Sequence, residues 1–519
     1  MNKHSVSVLT VLYAVTVFLT LGIQPALAQQ YDIVIHQGRV VDPETNLDAV
    51  RDIGINGGKI AAISEAPLHG KKNINARGLV VTPGFIDLHC HAINVPSNWM
   101  QAFDGVTTAL ELEAGSFPIA KAYDVAEKKH LPLNYGFSVS WAMARLQVVD
   151  HVELDGTFET ALKNFGQPGW GKLLPEETSR EVVAAIEQGL NEGGLGIGLL
   201  IGYAPDSNRE EYLAVNRLAA KYDVPTFTHI RPSYEYEPDG AMEGILEVLG
   251  VAAATSAHMH ICHIISSTVH KVNDALDAVH TAQRQGLKIT AEAYPFGWGS
   301  TAIGSPFYDP ANLPRMGIGP SDIYYAKTNE HIASVERLAE IRQKDPGGLA
   351  VALFLDENKP DQMKFIDDSI LSPDMMIASD AMPYTIDGRT VSSDVWPLPH
   401  EAYAHPRSTA TFTRVLERYV KEKKAMTVSE FVRRASLLPA NLVALAAPEA
   451  KRKGRLQVGM DADIAVFDLD GIKVRATYEN PRTPSSGMRY VMVGGRFIIS
   501  DGKLLTGVRP GRPLRGPTR

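Results

Sequence analysis

Between Pro83 and about Ala450, short apolar runs of strand type alternate with amphipathic helical stretches, and few folds accept so long an alternation. It builds a parallel sheet covered by helices. Candidate strands are 84–91, 107–113, 134–141, 196–203, 225–231, 258–264, 288–296, 349–355 and 375–380. Helices fall between several of them. The stretch 176–190 carries Val182, Ile186 and Leu190 on one face, and Gly193-Gly194 ends it. Nine candidates compete for the eight places of a closed barrel, and 349–355 is the one to drop. It follows 304–348, which reads as an insertion, the kind of segment that forms a lid over a site.

Both ends of the chain are rich in strands. Asp52-Ile53-Gly54-Ile55-Asn56-Gly57-Gly58-Lys59-Ile60 is a hairpin signature with Asn-Gly-Gly at its turn, and similar strands return at 462–467 and 490–497. One small sandwich built from both termini is expected; two unrelated β caps are the alternative. The fold class is therefore α/β: a TIM-type (β/α)8 barrel at 83–451 with a small β-sandwich from 29–82 and 452–519. At 519 residues the chain is long enough for both.

Residues 1–28 stand apart. Lys3 and His4 precede an apolar run from Val6 to Ile23, and Ala26-Leu27-Ala28 supplies small residues for cleavage. A cleavable signal peptide is expected, implying a secreted or periplasmic protein with no membrane segment after cleavage; an uncleaved membrane anchor is the alternative, the run being nearly long enough to span a bilayer. A net charge of −8 without a block of basic residues argues against a nucleic-acid partner. Two cysteines, Cys90 and Cys262, are no disulfide framework. Each adjoins a histidine, and neighbours on a strand point to opposite faces. Both are expected as buried thiols facing the outer helices.

The chemistry of such barrels sits at the C-terminal ends of the strands. Strand one ends His89-Cys90-His91, and strand two ends Glu111-Leu112-Glu113. Strand five ends His229-Ile230-Arg231, strand six ends at His263, and strand eight ends Ala378-Ser379-Asp380. Four histidines and two or three carboxylates at successive strand ends suit a divalent metal, zinc above others, as one or two ions. His258 and His260 have the opposite parity from His263 and are expected to face outward. His151, His280 and His331 lie in helices or loops and receive no role.

Pro83-Gly84-Phe85-Ile86-Asp87-Leu88-His89-Cys90-His91 resembles the H-x-H strand of the amidohydrolase superfamily. Gly105-Val106-Thr107-Thr108, Thr228-His229-Ile230-Arg231, Tyr294-Pro295, Ser379-Asp380 and His405-Pro406-Arg407 resemble its N-acyl-D-amino-acid deacylase branch. So do Leu438-Pro439-Ala440, Lys453-Gly454-Arg455-Leu456 and Ala462-Asp463-Ile464. The likeness spans nearly all of the chain beyond the signal segment. Members with Glu-Leu-Glu-Ala-Gly after strand two are usually labelled D-glutamate deacylases.

The resemblance implies that His89, His91 and Asp380 hold one metal and that His229 and His263 hold a second, with a bridging carboxylate. Many relatives bridge with a carboxylated lysine on strand four, but 196–203 contains no lysine. The deacylases use a cysteine after strand two; here the nearby side chain is Glu113, with Glu111 on the same face. A bound divalent ion lowers the pKa of its water from about 15.7 toward about 7. Asp380 would act as general base and then acid, and Tyr203 would either polarise the carbonyl or stand at the rim.

Arg407 and Tyr294 are the candidate anchors for a substrate carboxylate, Arg407 being alternatively an internal ion-pair partner and Tyr294 a filler of the barrel mouth. The lysine that deacylases carry two residues after the strand-six histidine is Ile265 here, and no arginine follows Tyr294-Pro295 before Phe307. Glutamate specificity is thus only weakly supported. The expected reaction is hydrolysis of an N-acyl-D-amino acid. A dipeptidase or carboxypeptidase acting on a short peptide, a cyclic-amide hydrolase and a metal-free scaffold are the rivals.

Overall fold

The computed structural model describes residues 30–231, 240–392 and 394–519; the expected signal peptide lies outside them. The central sheet has eight parallel strands in chain order: Phe85–Asp87, Val106–Ser116, Asn134–Ser140, Ile197–Leu199, Pro225–Thr228, His258–Ile261, Ile289–Ala293 and Met376–Ile377. A parallel bridge between Cys90 and Ala381 joins the last strand to the first, and the His91 amide donates to the Ala381 carbonyl at 2.8 Å. The sheet is therefore a barrel. Its strands are buried at nearly every position because the interior covers one face and helices cover the other. Helix Glu176–Asn191 buries Val182, Ile186 and Leu190 as its spacing predicts, with Glu176 and Glu177 at its positive end.

Leu349–Leu353 is not a barrel strand. It pairs antiparallel with Trp298–Ala302 and with Ile323–Tyr325, which in turn pairs with Glu330–His331. The inserted unit therefore starts at Trp298, before the expected 304, and closes at Leu353. It has its own apolar core, including Ile303, Leu313, Ile323, Leu338 and Ile341.

The two chain ends share one nine-stranded sheet. Its seam is Val80–Pro83 against Ile464–Phe467, and it folds around a core that includes Ile35, Ile53, Val81, Val466 and Met492. The Asn-Gly-Gly hairpin forms as its sequence demands: Asn56 faces Lys59, and Gly57 and Gly58 both take positive φ, at 55° and 78°. No helix among the described residues is long and apolar enough to cross a membrane.

Candidate metal centre

The ligand candidates sit where short barrel strands give way to loops. His89 and His91 follow Phe85–Asp87, His229 follows Pro225–Thr228, His263 follows His258–Ile261, and Asp380 follows Met376–Ile377. Glu113 lies within Val106–Ser116. His263 and Asp380 both adopt left-handed backbone, with φ of 28° and 51°. Non-glycine residues rarely take that conformation, and it concentrates at functional sites. Gly202 gives His229 its room: a Cβ there would lie 2.3 Å from His229 Cδ2.

All six side chains converge, and all are at least nine-tenths buried. His89 Nε2 and His91 Nε2 lie 3.1 Å apart, and His229 Nδ1 and His263 Nε2 lie 3.0 Å apart. Glu113 stands between the two pairs. Its Oε2 is 3.0 Å from His89 Nε2 and 3.5 Å from His91 Nε2, while its Oε1 is 2.9 Å from His229 Nδ1 and 2.8 Å from His263 Nε2. Asp380 Oδ1 is 3.5 Å from both His89 and His91.

The 3.5 Å contacts of Glu113 and Asp380 already match the spacing of donors around one ion, and the closer contacts would open by a few tenths of an ångström on binding one. Donors 2.0–2.2 Å from a tetrahedral zinc sit about 3.3–3.6 Å from one another. Drawn from these six side chains, three groups each bring three donor atoms within 4.8 Å: His89, His91 and Glu113; His89, His263 and Asp380; Glu113, His229 and His263. The donor set suits two ions sharing the Glu113 carboxylate.

Glu111, two residues earlier, has a different place. Its oxygens lie 2.9 and 3.0 Å from His91 Nδ1, the nitrogen turned away from the cluster, so it orients that ring. Strand four passes too close to carry a bridging side chain at Gly198, where a Cβ would come within 2.3 Å of the Glu113 carbonyl oxygen.

Two parity expectations fail together. His260 faces inward, fully buried, with Nε2 3.1 Å from Glu292 Oε2, and Glu292 Oε1 is 2.5 Å from His89 Nδ1. His258, on the same face, reaches Thr290 Oγ1 at 3.3 Å. Cys262 also faces inward, its sulfur grouped with donor atoms of His89 and Glu292. The left-handed turn at His263 breaks the strand's alternation, so counting back from His263 assigns the wrong face. Cys90 lies on the outer side as expected, beside the Gln101 amide.

The electrostatics follow from the convergence. Burial alone disfavours the charged form of His89, but Glu113, Asp380 and Glu292 outweigh it and raise its pKa well above the usual imidazole value. His91 is raised in the same way against burial, chiefly by Glu111 and Asp380. Burial pushes Glu113 upward, yet His89, His263 and His229 hold it well below the carboxylate range. Asp380 is likewise lowered against burial, by Arg407 and His89. Glu292 is buried too, and His89 and His260 bring it down to about 2.

Arg407 is bound to Asp380: Nη2 lies 2.9 Å from Oδ2, and Nε donates to the Asp380 carbonyl at 2.6 Å. Nη2 also donates to the Ser300 carbonyl at 3.0 Å. Its Nη1 is buried without a partner among the described residues. The guanidinium carbon sits 4.7 Å from the centre of the Tyr294 ring. Tyr203, half-buried, packs 4.6 Å from the His229 ring, with its hydroxyl 2.7 Å from Thr301 Oγ1. Burial and the nearby Glu113 carboxylate push its phenol pKa well up, so it keeps its proton.

The sequence profile of the Amidohydrolase family matches residues 352–499. N-acyl-D-glutamate deacylase of Alcaligenes xylosoxydans xylosoxydans is 27% identical over 522 residues, covering 94% of this chain and 97% of that protein. D-aminoacylase of the same organism is 25% identical over 530 residues, covering 94% and 98%. The chain is thus similar, over nearly its whole length, to amidohydrolases of the D-aminoacylase-like branch. Among solved structures, N-acyl-D-glutamate deacylase from Bordetella bronchiseptica, complexed with zinc and a phosphonate inhibitor, shares the fold. Its TM-score is 0.73 at 23% identity, covering 94% of this chain and all of that one. Two residues the sequence did not single out, Glu292 and His260, lie on barrel strands seven and six; counting two residues back from Tyr294 would have pointed to Glu292.

Proposed function

We propose that this protein is a metal-dependent amide hydrolase that deacylates N-acyl-D-amino acids. The observation that carries the reading is the Glu113 carboxylate, which offers one oxygen to the His89–His91 pair and the other to the His229–His263 pair. Relatives named as deacylases of D-amino acids, matched over their full length, support the substrate class and its stereochemistry. His89, His91 and Asp380 would hold one divalent ion, zinc fitting the nitrogen and oxygen donors, and His229 and His263 the other. When bound, the metal supplies Lewis acidity, acidifying a water and polarising the scissile carbonyl.

The remaining work falls to the protein. Asp380, ionised at neutral pH and anchored by Arg407, accepts the proton that the attacking water gives up. As the C–N bond breaks, the same carboxyl returns that proton to the leaving amine. Tyr203, which keeps its hydrogen, donates to the carbonyl oxygen as negative charge develops there. The unpartnered Nη1 of Arg407 binds the substrate carboxylate beside Ser266, Ser267 and Tyr294, which line the same pocket. That pocket's far wall is Phe307, Met316, Ile318, Leu353 and Phe354, and Arg407 is its only cation among the described residues. A neutral, apolar amino-acid side chain fits it better than glutamate.

The signal peptide supports export, which N-terminal sequencing of periplasmic protein would test: a mature chain starting near Gln29 is expected, and an intact Met1 contradicts it. The activity is tested by amine release from N-acetyl-D- and L-amino acids, dipeptides and cyclic amides with zinc supplied. Release from N-acetyl-D-leucine or D-methionine well above N-acetyl-D-glutamate is expected. Turnover of dipeptides or cyclic amides alone would replace the reading.

A further inference from the structure

A second pocket opens on the opposite side of the cluster from the one that holds Arg407. It touches His91 and Glu113 rather than His229 and His263, and the two pockets share Tyr203, Ser300, Thr301 and Asp380. An amide held between the Tyr203 hydroxyl and Asp380 must send its two substituents into opposite pockets. Arg407 Nη1, on the first side, claims the carboxylate-bearing half. The second pocket is left for the acyl group.

Its distal wall is apolar. Phe158 stacks on the His91 ring with centroids 4.6 Å apart, and Phe165 meets Trp170 edge to face at 4.9 Å. Leu162, Leu200 and Met382 complete that wall. Beyond the cluster itself and Tyr203 no ionisable group lines the pocket among the described residues, and its free donors are the Trp170 indole N–H at the distal wall and the Ser300 hydroxyl near the cluster, both buried without a partner. Most of this wall comes from the connection between barrel strands three and four, through helix Phe158–Lys163 and the turn Pro168–Trp170. Phe158 is its contact with a ligand side chain, the His91 ring.

We propose that this pocket is the acyl subsite and that it selects apolar acyl groups larger than acetyl, aliphatic or aryl. The inference rests on the deacylase reading and deepens it. A pocket bounded by aromatic and aliphatic side chains gains from each methylene it removes from water, by about fourfold in kcat/KM at full burial.

The test measures kcat/KM for N-acetyl-, N-butyryl-, N-hexanoyl- and N-phenylacetyl-D-leucine on the zinc-loaded enzyme. The values should rise from acetyl by about fourfold per methylene until the pocket is full. The same series on Trp170→Ala and on Ala161→Phe, Ala161 lining the pocket from helix Phe158–Lys163, with metal content and thermal unfolding as folding checks, localises the effect. Trp170→Ala should shift the optimum to longer or bulkier acyl groups, and Ala161→Phe should lower the hexanoyl-to-acetyl ratio at least tenfold. In both, the ranking of amino-acid side chains at fixed acyl group should hold. Acetyl as the fastest substrate overturns the inference and leaves the deacylase reading standing. A variant that reorders the amino-acid side chains instead of the acyl groups also overturns it, because the substrate then binds the other way round. No turnover of any N-acyl amino acid would overturn both.

Discussion

The floor and the roof of the site are built on different terms. The floor is the ring of barrel-strand ends, where Glu113 lies 2.8–3.5 Å from all four imidazoles and Asp380 3.5 Å from His89 and His91. The roof is the unit from Trp298 to Leu353, which has its own antiparallel sheet and core. It meets the floor at a few points, such as Phe307 stacked 5.3 Å from His229 and Ser300 receiving Arg407. A buried, mutually dependent charge cluster tolerates little change. A separately cored unit can change its pocket-facing residues without disturbing that cluster. The fold thus separates chemistry from selectivity.

The sharpest way to break this separation is Asp380→Asn. Removing a general base and acid should lower kcat by about 10²–10⁴-fold, equally for every substrate, as read by steady-state amine release. A loss that varies strongly with substrate would place Asp380 in selectivity. Next in size, Glu292→Gln and Glu111→Gln each remove the carboxylate that orients a ligand imidazole. Both should weaken metal binding by about 10–100-fold, measured by chelator competition, and the roof should not compensate. Unchanged affinity would make those contacts structural only. Smaller still, Met316→Ala and Ile318→Ala in the roof should alter the ranking of amino-acid side chains by up to about tenfold while zinc content stays at the wild-type level. Loss of zinc would mean that floor and roof are coupled.

The floor also carries the pH dependence. His89 and His91 have pKa values raised well above the ordinary imidazole value, against burial, by Glu113 and Glu111 respectively and by Asp380. Their protons stabilise the metal-free fold fully below about pH 6.5, the unfolded imidazole value, and that contribution is lost as pH rises through the folded values. Metal must displace those protons. Apparent affinity should therefore fall by about tenfold per pH unit for each proton released as pH drops from 8 toward 6. An affinity independent of pH over that range would contradict the protonated cluster.

The floor was also the legible part of the sequence. A strand that ends in His-Cys-His or Glu-Leu-Glu announces itself, because an apolar run seldom closes on metal-ligating side chains unless it lines a site. Two places resisted. Parity counted from His263 turned His260 and Cys262 the wrong way, since one left-handed residue resets the alternation and no residue type signals it. The choice between Glu111 and Glu113 was open because both share a face, and only the barrel's curvature decides which reaches all four imidazoles. Arg407 showed its charge in the sequence but not its partner, which lies 27 residues away on Asp380. The roof's start was misjudged by six residues, from 304 to 298, because Trp298-Gly299-Ser300-Thr301-Ala302 runs on from the seventh barrel strand without a break in composition.

The most direct test of the account is the metal stoichiometry of wild type and Glu113→Ala after dialysis against metal-free buffer, by inductively coupled plasma mass spectrometry. A carboxylate shared by both imidazole pairs predicts two divalent ions per wild-type chain and at most one in the variant, with amine release reduced to background. Two ions held as tightly without the Glu113 carboxylate would contradict the bridge and the mechanism built on it.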